Sequence, residues 1–106
     1  VMVKQMVEDK ADVNYIDSDG WSALSEACLA GNTEVLKILI EAGGNVNLKH
    51  QKGWTCLMIA AQNNLEEVIR VLLKSGADRT IQSDDGSTAA MIALRQGNLA
   101  IAELLR

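Results

Sequence analysis

Apolar residues recur along this 106-residue chain in short clusters, and each cluster is followed by a polar stretch rich in Gly, Asn or Asp. The clusters at 35–40 and 68–73 both place their apolar residues at the spacing of one helix face. Glu34 and Glu66 precede these clusters, and an acidic residue is favourable near the positive N-terminus of a helix. The pattern therefore predicts short amphipathic helices joined by polar turns.

The whole pattern repeats with a period of 33 residues. Gly20, Gly53 and Gly86 are spaced by this interval, and the same offset aligns Trp21 with Trp54. No gap is needed anywhere in the register, so the repeat governs the fold prediction. Further positions follow the same offset: Ser22, Thr55 and Thr88; Ala27, Ala60 and Ala93; Leu39, Leu72 and Leu105.

Each unit is predicted to be a pair of helices. Ser22, Thr55 and Thr88 stand at N-cap positions, where a hydroxyl can accept an unpaired backbone N–H. The first helix should end at a residue that tolerates the left-handed conformation, namely Gly31, Asn64 or Gly97. One helix pair cannot bury its apolar faces alone, so neighbouring pairs are expected to stack around a continuous core.

A 33-residue unit made of a turn and two helices resembles the ankyrin repeat. The segments at 19–24, 53–57 and 85–89 are similar to the family's opening segment. The family's closing signature is nearly matched by Leu72-Leu73-Lys74-Ser75-Gly76-Ala77-Asp78, and residues 10–14 are a variant of it. The resemblance covers the whole chain and implies an all-α ankyrin-repeat solenoid.

The resemblance also implies a single domain with a defined division. It comprises the second half of a repeat at 1–16, full repeats at 17–49 and 50–82, and most of a repeat at 83–106. Neither end carries a polar capping unit, so we expect these 106 residues to be part of a longer array of repeats. Ser25, Met58 and Met91 stand where the family usually has histidine, whose hydrogen bonds must be supplied otherwise or be missing.

Ankyrin repeats share a fold and differ in partner, so the fold alone does not give the function. Family members usually bind proteins on a concave face formed by the turn tips and first helices. The resemblance thus implies a non-catalytic protein-interaction module. The corresponding positions are Ser18, Asp19, Trp21, Gln51, Lys52, Trp54, Asp84, Asp85 and Ser87 on the tips, and Leu29, Gln62, Asn63 and Arg95 on the helices.

Trp21 and Trp54 are the sharpest signal in this set. They are the only two tryptophans, and stacking of their repeats would place them side by side. Tryptophan is enriched at binding hot spots because it offers a large rigid contact area and one donor. The alternative is that each ring packs over its own turn and shields backbone.

Charge narrows the classes of partner. The net charge is −4 and no Lys/Arg cluster interrupts it, which disfavours nucleic acid and anionic membrane surfaces. No apolar run approaches the roughly 18 residues of a membrane-spanning helix. Asp17, Asp19, Asp84 and Asp85 give a slight preference for a basic protein or peptide, although aspartate is also a common structural choice in turns.

Candidate chemistry is sparse. His50 is the only histidine and is interpreted as a solvent-exposed turn residue, away from Cys28 and Cys56. Both cysteines lie in apolar helical stretches, which favours free thiols and an intracellular setting, cytoplasmic or nuclear. No metal-ligand spacing and no phosphate loop are present, so neither an enzymatic site nor a cofactor, metal or small-molecule ligand is expected.

Two alternatives remain beside the interaction module. The chain can instead be a structural or regulatory segment of a larger enzyme, channel or scaffold that contacts its own parent protein. Independently, the resemblance raises hydroxylation of Asn47, since a turn asparagine is hydroxylated in some ankyrin proteins. The simpler interpretation is that Asn47 satisfies turn backbone.

Overall fold

The computed structural model describes residues 14–106, and this part of the chain contains six α-helices arranged in three pairs. Residues 1–13, which hold most of the predicted half repeat, lie outside the described residues. The helices are α1 Ala23–Ala30, α2 Thr33–Glu41, α3 Cys56–Gln62, α4 Glu66–Lys74, α5 Ala89–Arg95 and α6 Leu99–Leu104, with a 3₁₀ turn at Gln51–Gly53. The predicted all-α arrangement of paired helices is confirmed.

The first helix of each pair begins where the hydroxyl residues predicted it. Ser22 and Thr88 each accept a backbone N–H three residues on, from Ser25 and Met91, at 3.3 Å in both cases. Ser25 returns the bond, because its hydroxyl oxygen accepts the Ser22 N–H at 2.9 Å. This reciprocal pair is a capping box, and it supplies hydrogen bonds at the position where the family usually has histidine. Thr55 occupies the equivalent cap position without a capping side-chain bond.

The core lies between the layer of first helices and the layer of second helices. Helix α3 packs against α1 on one side and α5 on the other, while α2 packs against α4. Every residue of α3 from Cys56 to Ala61 is buried, which is expected of a helix enclosed by neighbours on both faces. The largest fully buried side chains across the repeats include Leu24, Leu36, Leu57, Ile69, Leu72 and Ile101.

Burial at a given position of the unit depends on the neighbour it meets. Met58 and Ala61 in α3 are at most 1% exposed. Their counterparts one period later in α5, Met91 and Leu94, are 45% and 55% exposed. Among the described residues, α3 has a first helix stacked on each side and α5 has one on a single side, so stacking produces the difference.

Asparagine side chains join the connecting segments of successive repeats. The side-chain oxygen of Asn14 accepts the Asn45 N–H at 2.6 Å, and that of Asn47 accepts the Asp78 N–H at 2.7 Å. Asn47 therefore satisfies the backbone of the turn that follows.

The turn tips form a continuous row. Each tip is closed by at least two backbone bonds, as in the contacts from Asp17 N to Trp21 O at 2.8 Å and from Gly20 N to Asp17 O at 3.0 Å. Neighbouring tips are joined by Gln51 N to Gly20 O and by Asp84 N to Lys52 O, both at 3.0 Å. Side chains on consecutive tips are therefore held at a fixed spacing.

Substitution of Gly53 by alanine should test this row. Gly53 has φ +74°, and a Cβ there would lie 2.6 Å from Asp84 Oδ1 and 3.0 Å from Asp84 N. Gly86 is the matched control, because it has φ +84° with nothing within 4 Å of its Cβ position. Both variants incur about 1 kcal/mol of left-handed strain.

We expect Gly53→Ala to lower the free energy of unfolding by about 1–2 kcal/mol more than Gly86→Ala does, because the next tip is displaced. Urea unfolding followed by circular dichroism measures both. Equal losses would show that the close approach of the tips contributes nothing to stability.

Candidate functional site

Five of the predicted binding positions surround one groove. Trp21, Gln51, Lys52, Trp54 and Gln62 line a depression of about 280 Å³ between the first two tips and α3. The two tryptophans thus lie side by side across consecutive repeats. Both rings are half-buried, pack against the core and line the groove, and their contact with a partner stays a prediction.

The groove residues are positioned by turn contacts. The backbone N–H of Trp21 donates to Asp17 Oδ1 at 3.0 Å, and the Gln51 side-chain amide donates to the Asp19 backbone carbonyl at 3.2 Å. The Lys52 backbone adopts φ +62° in the 3₁₀ turn. Tertiary contacts therefore fix the backbone under the groove before any partner arrives.

His50 is buried, so its interpretation as an exposed turn residue is wrong. Only 5% of its surface is accessible, because the ring turns beneath Trp21 at a centroid distance of 6.4 Å and an interplanar angle of 25°. Nδ1 lies 3.1 Å from the Trp54 carbonyl and Nε2 lies 2.7 Å from the Ser22 hydroxyl. Burial lowers the pKa of His50, and the hydrogen bond to the Trp54 carbonyl offsets part of that effect.

Sequence reasoning missed His50, although the register contained a signal. The 33-residue offset aligns His50 with Asp17 and Ser83, whose side-chain oxygens serve their own turns. An aromatic ring cannot occupy that role in the same way, so a different contact at this position could have been expected.

The third tip differs from the first two. Ser87, expected at the surface, is only 2% exposed, because the Arg95 guanidinium covers it and donates to its hydroxyl. Asp85 accepts hydrogen bonds from the Ser83 hydroxyl and from Ser87, and these contacts lower the pKa of Asp85. Ser87 is therefore a structural residue of the turn.

The remaining predicted positions lie outside the groove lining. Ser18, Asp19, Leu29, Asn63 and Asp84 are exposed but do not line the groove. Of the four aspartates considered, Asp17 and Asp85 are engaged by turn donors, which leaves Asp19 and Asp84 with carboxylates available to a partner.

A second groove of about 530 Å³ lies along the second helices, lined by Lys37, Glu67, Arg70, Val71, Leu73, Lys74 and Leu104. Arg70 is already paired with Glu66 at 2.7 Å, and no aromatic ring lines this surface.

Within residues 14–106, no cluster of three or more side chains could hold a metal ion. The helices of the same segment include none long and apolar enough to cross a bilayer.

The two thiols lie together in the core. Cys28 and Cys56 are free and buried on the facing helices α1 and α3. The hydrogen bond with the Cys56 thiol and burial both raise the pKa of Cys28 far above its ordinary value. A thiol that stays protonated and enclosed is a poor nucleophile.

The rate at which the two thiols react with a reagent should therefore differ strongly between the native and the unfolded protein. With a disulfide reagent such as DTNB at pH 8, we expect both cysteines to react at least about 100-fold more slowly in the native state than in guanidinium. Release of the thiolate chromophore gives the rates. Rapid native reaction of either cysteine would contradict the buried arrangement.

The comparisons with known proteins agree with this architecture. The family model described as ankyrin repeats (3 copies) matches residues 1–83 and 31–106, which together span the chain. Comparison with curated proteins gives no significant match. Ankyrin repeats are generally protein–protein interaction modules and are typically non-catalytic. The periodic sequence, the stacked helix pairs and the family match together establish that this chain belongs to the ankyrin repeat family.

Proposed function

We propose that the chain is an intracellular protein-interaction module that holds a segment of a partner protein in the groove between its first two tips. The observation that carries this proposal is the placement of Trp21 and Trp54 along one groove together with Gln51, Lys52 and Gln62. This site combines aromatic surface, which is enriched in interface cores, with polar groups of the kind found at the rim.

Preorganisation supports the choice of this groove. The Trp21 ring stacks on His50, and its backbone is held by Asp17, so the ring loses little freedom when a partner binds. Ordering a flexible side chain at an interface costs about 0.5–1.5 kcal/mol, a cost that a fixed ring largely avoids. The groove is therefore suited to act as a hot spot.

The size of the groove favours part of a peptide over a whole small molecule. Its volume of about 280 Å³ lies just below the roughly 300–1,000 Å³ of small-molecule sites. One or two apolar side chains of a partner segment can fill this space against the indoles. The exposed Gln62 amide can hydrogen-bond the backbone of the same segment.

The charge of the partner depends on the surroundings of the groove. Lys52 lines the groove. The Asp19 carbonyl accepts the side-chain amide of Gln51, and the Asp84 backbone N–H donates to the Lys52 carbonyl, so both aspartates lie beside the groove. We therefore propose a segment with apolar residues at its centre and basic residues in its flanks, where they can reach Asp19 and Asp84.

Truncation of both indoles tests the function. Peptides selected from a random display library on the wild-type chain should bind Trp21→Ala/Trp54→Ala at least about 30-fold more weakly, as expected when hot-spot residues are lost. Leu99→Ala is the matched control, because Leu99 is 71% exposed on α6 and outside this groove. Calorimetric titration gives the affinities, and circular dichroism gives the helical signal and melting temperature.

We expect the double variant to keep its helical signal and a cooperative melting transition, at a temperature lowered by the loss of the half-buried ring contacts. Unfolding of that variant would show that the rings are structural and that the site is wrongly placed. Equal peptide affinity for the wild type and the double variant would also contradict the proposal, as would a selection that yields no binding peptide.

A further inference from the structure

One position in the tip repeat carries a different chemical group in each unit. Asp17, His50 and Ser83 are aligned by the 33-residue register. Asp17 and Ser83 accept the backbone N–H four residues on, at 3.0 Å and 3.3 Å. In the middle unit the corresponding N–H of Trp54 donates to the Gln51 carbonyl at 3.2 Å instead. The His50 ring instead contacts the Trp54 carbonyl of its own turn and reaches back to the Ser22 hydroxyl of the preceding repeat.

The hydrogen bonds of His50 define its tautomer. A carbonyl oxygen can only accept, so Nδ1 carries the proton and donates to the Trp54 carbonyl. Nε2 is then the acceptor and receives the Ser22 hydroxyl proton. Ser22 Oγ in turn caps α1 by accepting the Ser25 N–H. One neutral imidazole thus links the cap of α1, the Trp21 indole and the turn of the next repeat.

Protonation of Nε2 disrupts this arrangement. The ring would then donate to the Ser22 oxygen, and the Ser22 hydroxyl hydrogen would have to turn away and lose its acceptor. Ser22 is only 5% exposed, so water cannot easily take over the lost bond. The new positive charge would also lie in a buried position, where water cannot solvate it.

The causes of the lowered pKa of His50 are burial, which lowers it, and the hydrogen bond to the Trp54 carbonyl, which offsets part of the effect. The hydrogen bonds of the imidazole go to Ser22 and Trp54, and burial is the larger influence on its pKa. Helix α3, from Cys56 to Gln62, contains no charged residue. The charged residues on the neighbouring segments are Asp17 and Asp19 on the first tip, Glu26 on α1 and Asp84 on the third tip. Lys49 and Lys52 lie on the same segment as His50.

We propose that His50 is a positioning residue that makes the tryptophan groove sensitive to pH. Neutral His50 holds the Trp21 ring against the second tip, and protonated His50 releases that ring. The groove then retains its partner segment at neutral pH and loses it under mildly acidic conditions. The effect on binding rests on the function proposed above, whereas the effect on Trp21 does not.

The direction of the pH effect follows from the lowered pKa of His50. Below its usual value of 6.5, the unfolded chain takes up a proton that the folded chain resists. The stabilising contribution of neutral His50 is therefore complete above that value. It is lost progressively as the pH falls through the pKa of the folded protein.

Nuclear magnetic resonance of the free wild-type chain tests the coupling directly, since His50 is the only histidine. At pH 7.5 the ring nitrogens should show the tautomer protonated at Nδ1. On acidification the His50 signal should titrate with a midpoint below 6.5, and the Trp21 indole N–H signal should move with the same midpoint. A midpoint at or above 6.5, or a Trp21 signal that ignores the His50 titration, overturns the inference.

The control variant is His50→Gln, which keeps hydrogen-bonding capacity without a titrating group. A library-selected peptide should bind the wild type about 10-fold more weakly one pH unit below the measured His50 midpoint than at pH 7.5, and should bind His50→Gln with little change between the same two pH values. If the Trp21 signal follows His50 but the double tryptophan variant keeps full affinity, the function fails and the coupling stands. If the tryptophans are needed but the Trp21 signal is independent of His50, the function stands and the coupling fails.

Discussion

The burial of α3 between α1 and α5 is the contact on which the rest of the described structure depends. An unbroken run of buried residues from Cys56 to Ala61 can be removed from water only by neighbours on both faces. Once the first helices are stacked, the constant length of the unit places each tip beside the next. The bonds from Gln51 to Gly20 and from Asp84 to Lys52 then close the row. The tryptophan groove is a product of stacking, because each of the two repeats contributes one ring.

The fold could be predicted because its determinants are local and occur repeatedly. Ser22 and Gly31 bound α1, and each lies where cap chemistry required a hydroxyl or a left-handed residue. Asn64 confirms the same reasoning in the next unit, since it adopts φ +58° at the position of Gly31. An error in any single unit would have been corrected by the other two, which makes a repeat protein easier to interpret than an irregular fold.

Side-chain direction at the tips could not be predicted in the same way. The register gives the backbone position of His50 and of Ser87, but their burial depends on Trp21 in one case and Arg95 in the other. Trp21 reaches His50 from another repeat, and Arg95 reaches Ser87 from the following helix. The pairing of Trp21 with Trp54 was predictable because it requires only equal positions in adjacent units.

The stacking positions and the groove positions of the unit are under different constraints. Ala27, Ala60 and Ala93 are all buried and identical, because each must fit between closely packed helices. The tip position held by Trp21 and Trp54 carries serine in the third unit. There Arg95, the counterpart of Gln62, donates to Ser87 and covers it. The surface consequently changes along the row from the paired indoles of Trp21 and Trp54 to the Arg95 guanidinium, which lies near the Asp85 carboxylate. A segment bound along this row would meet different chemistry at its two ends, and this difference would favour one direction of binding without any change in the stack beneath it.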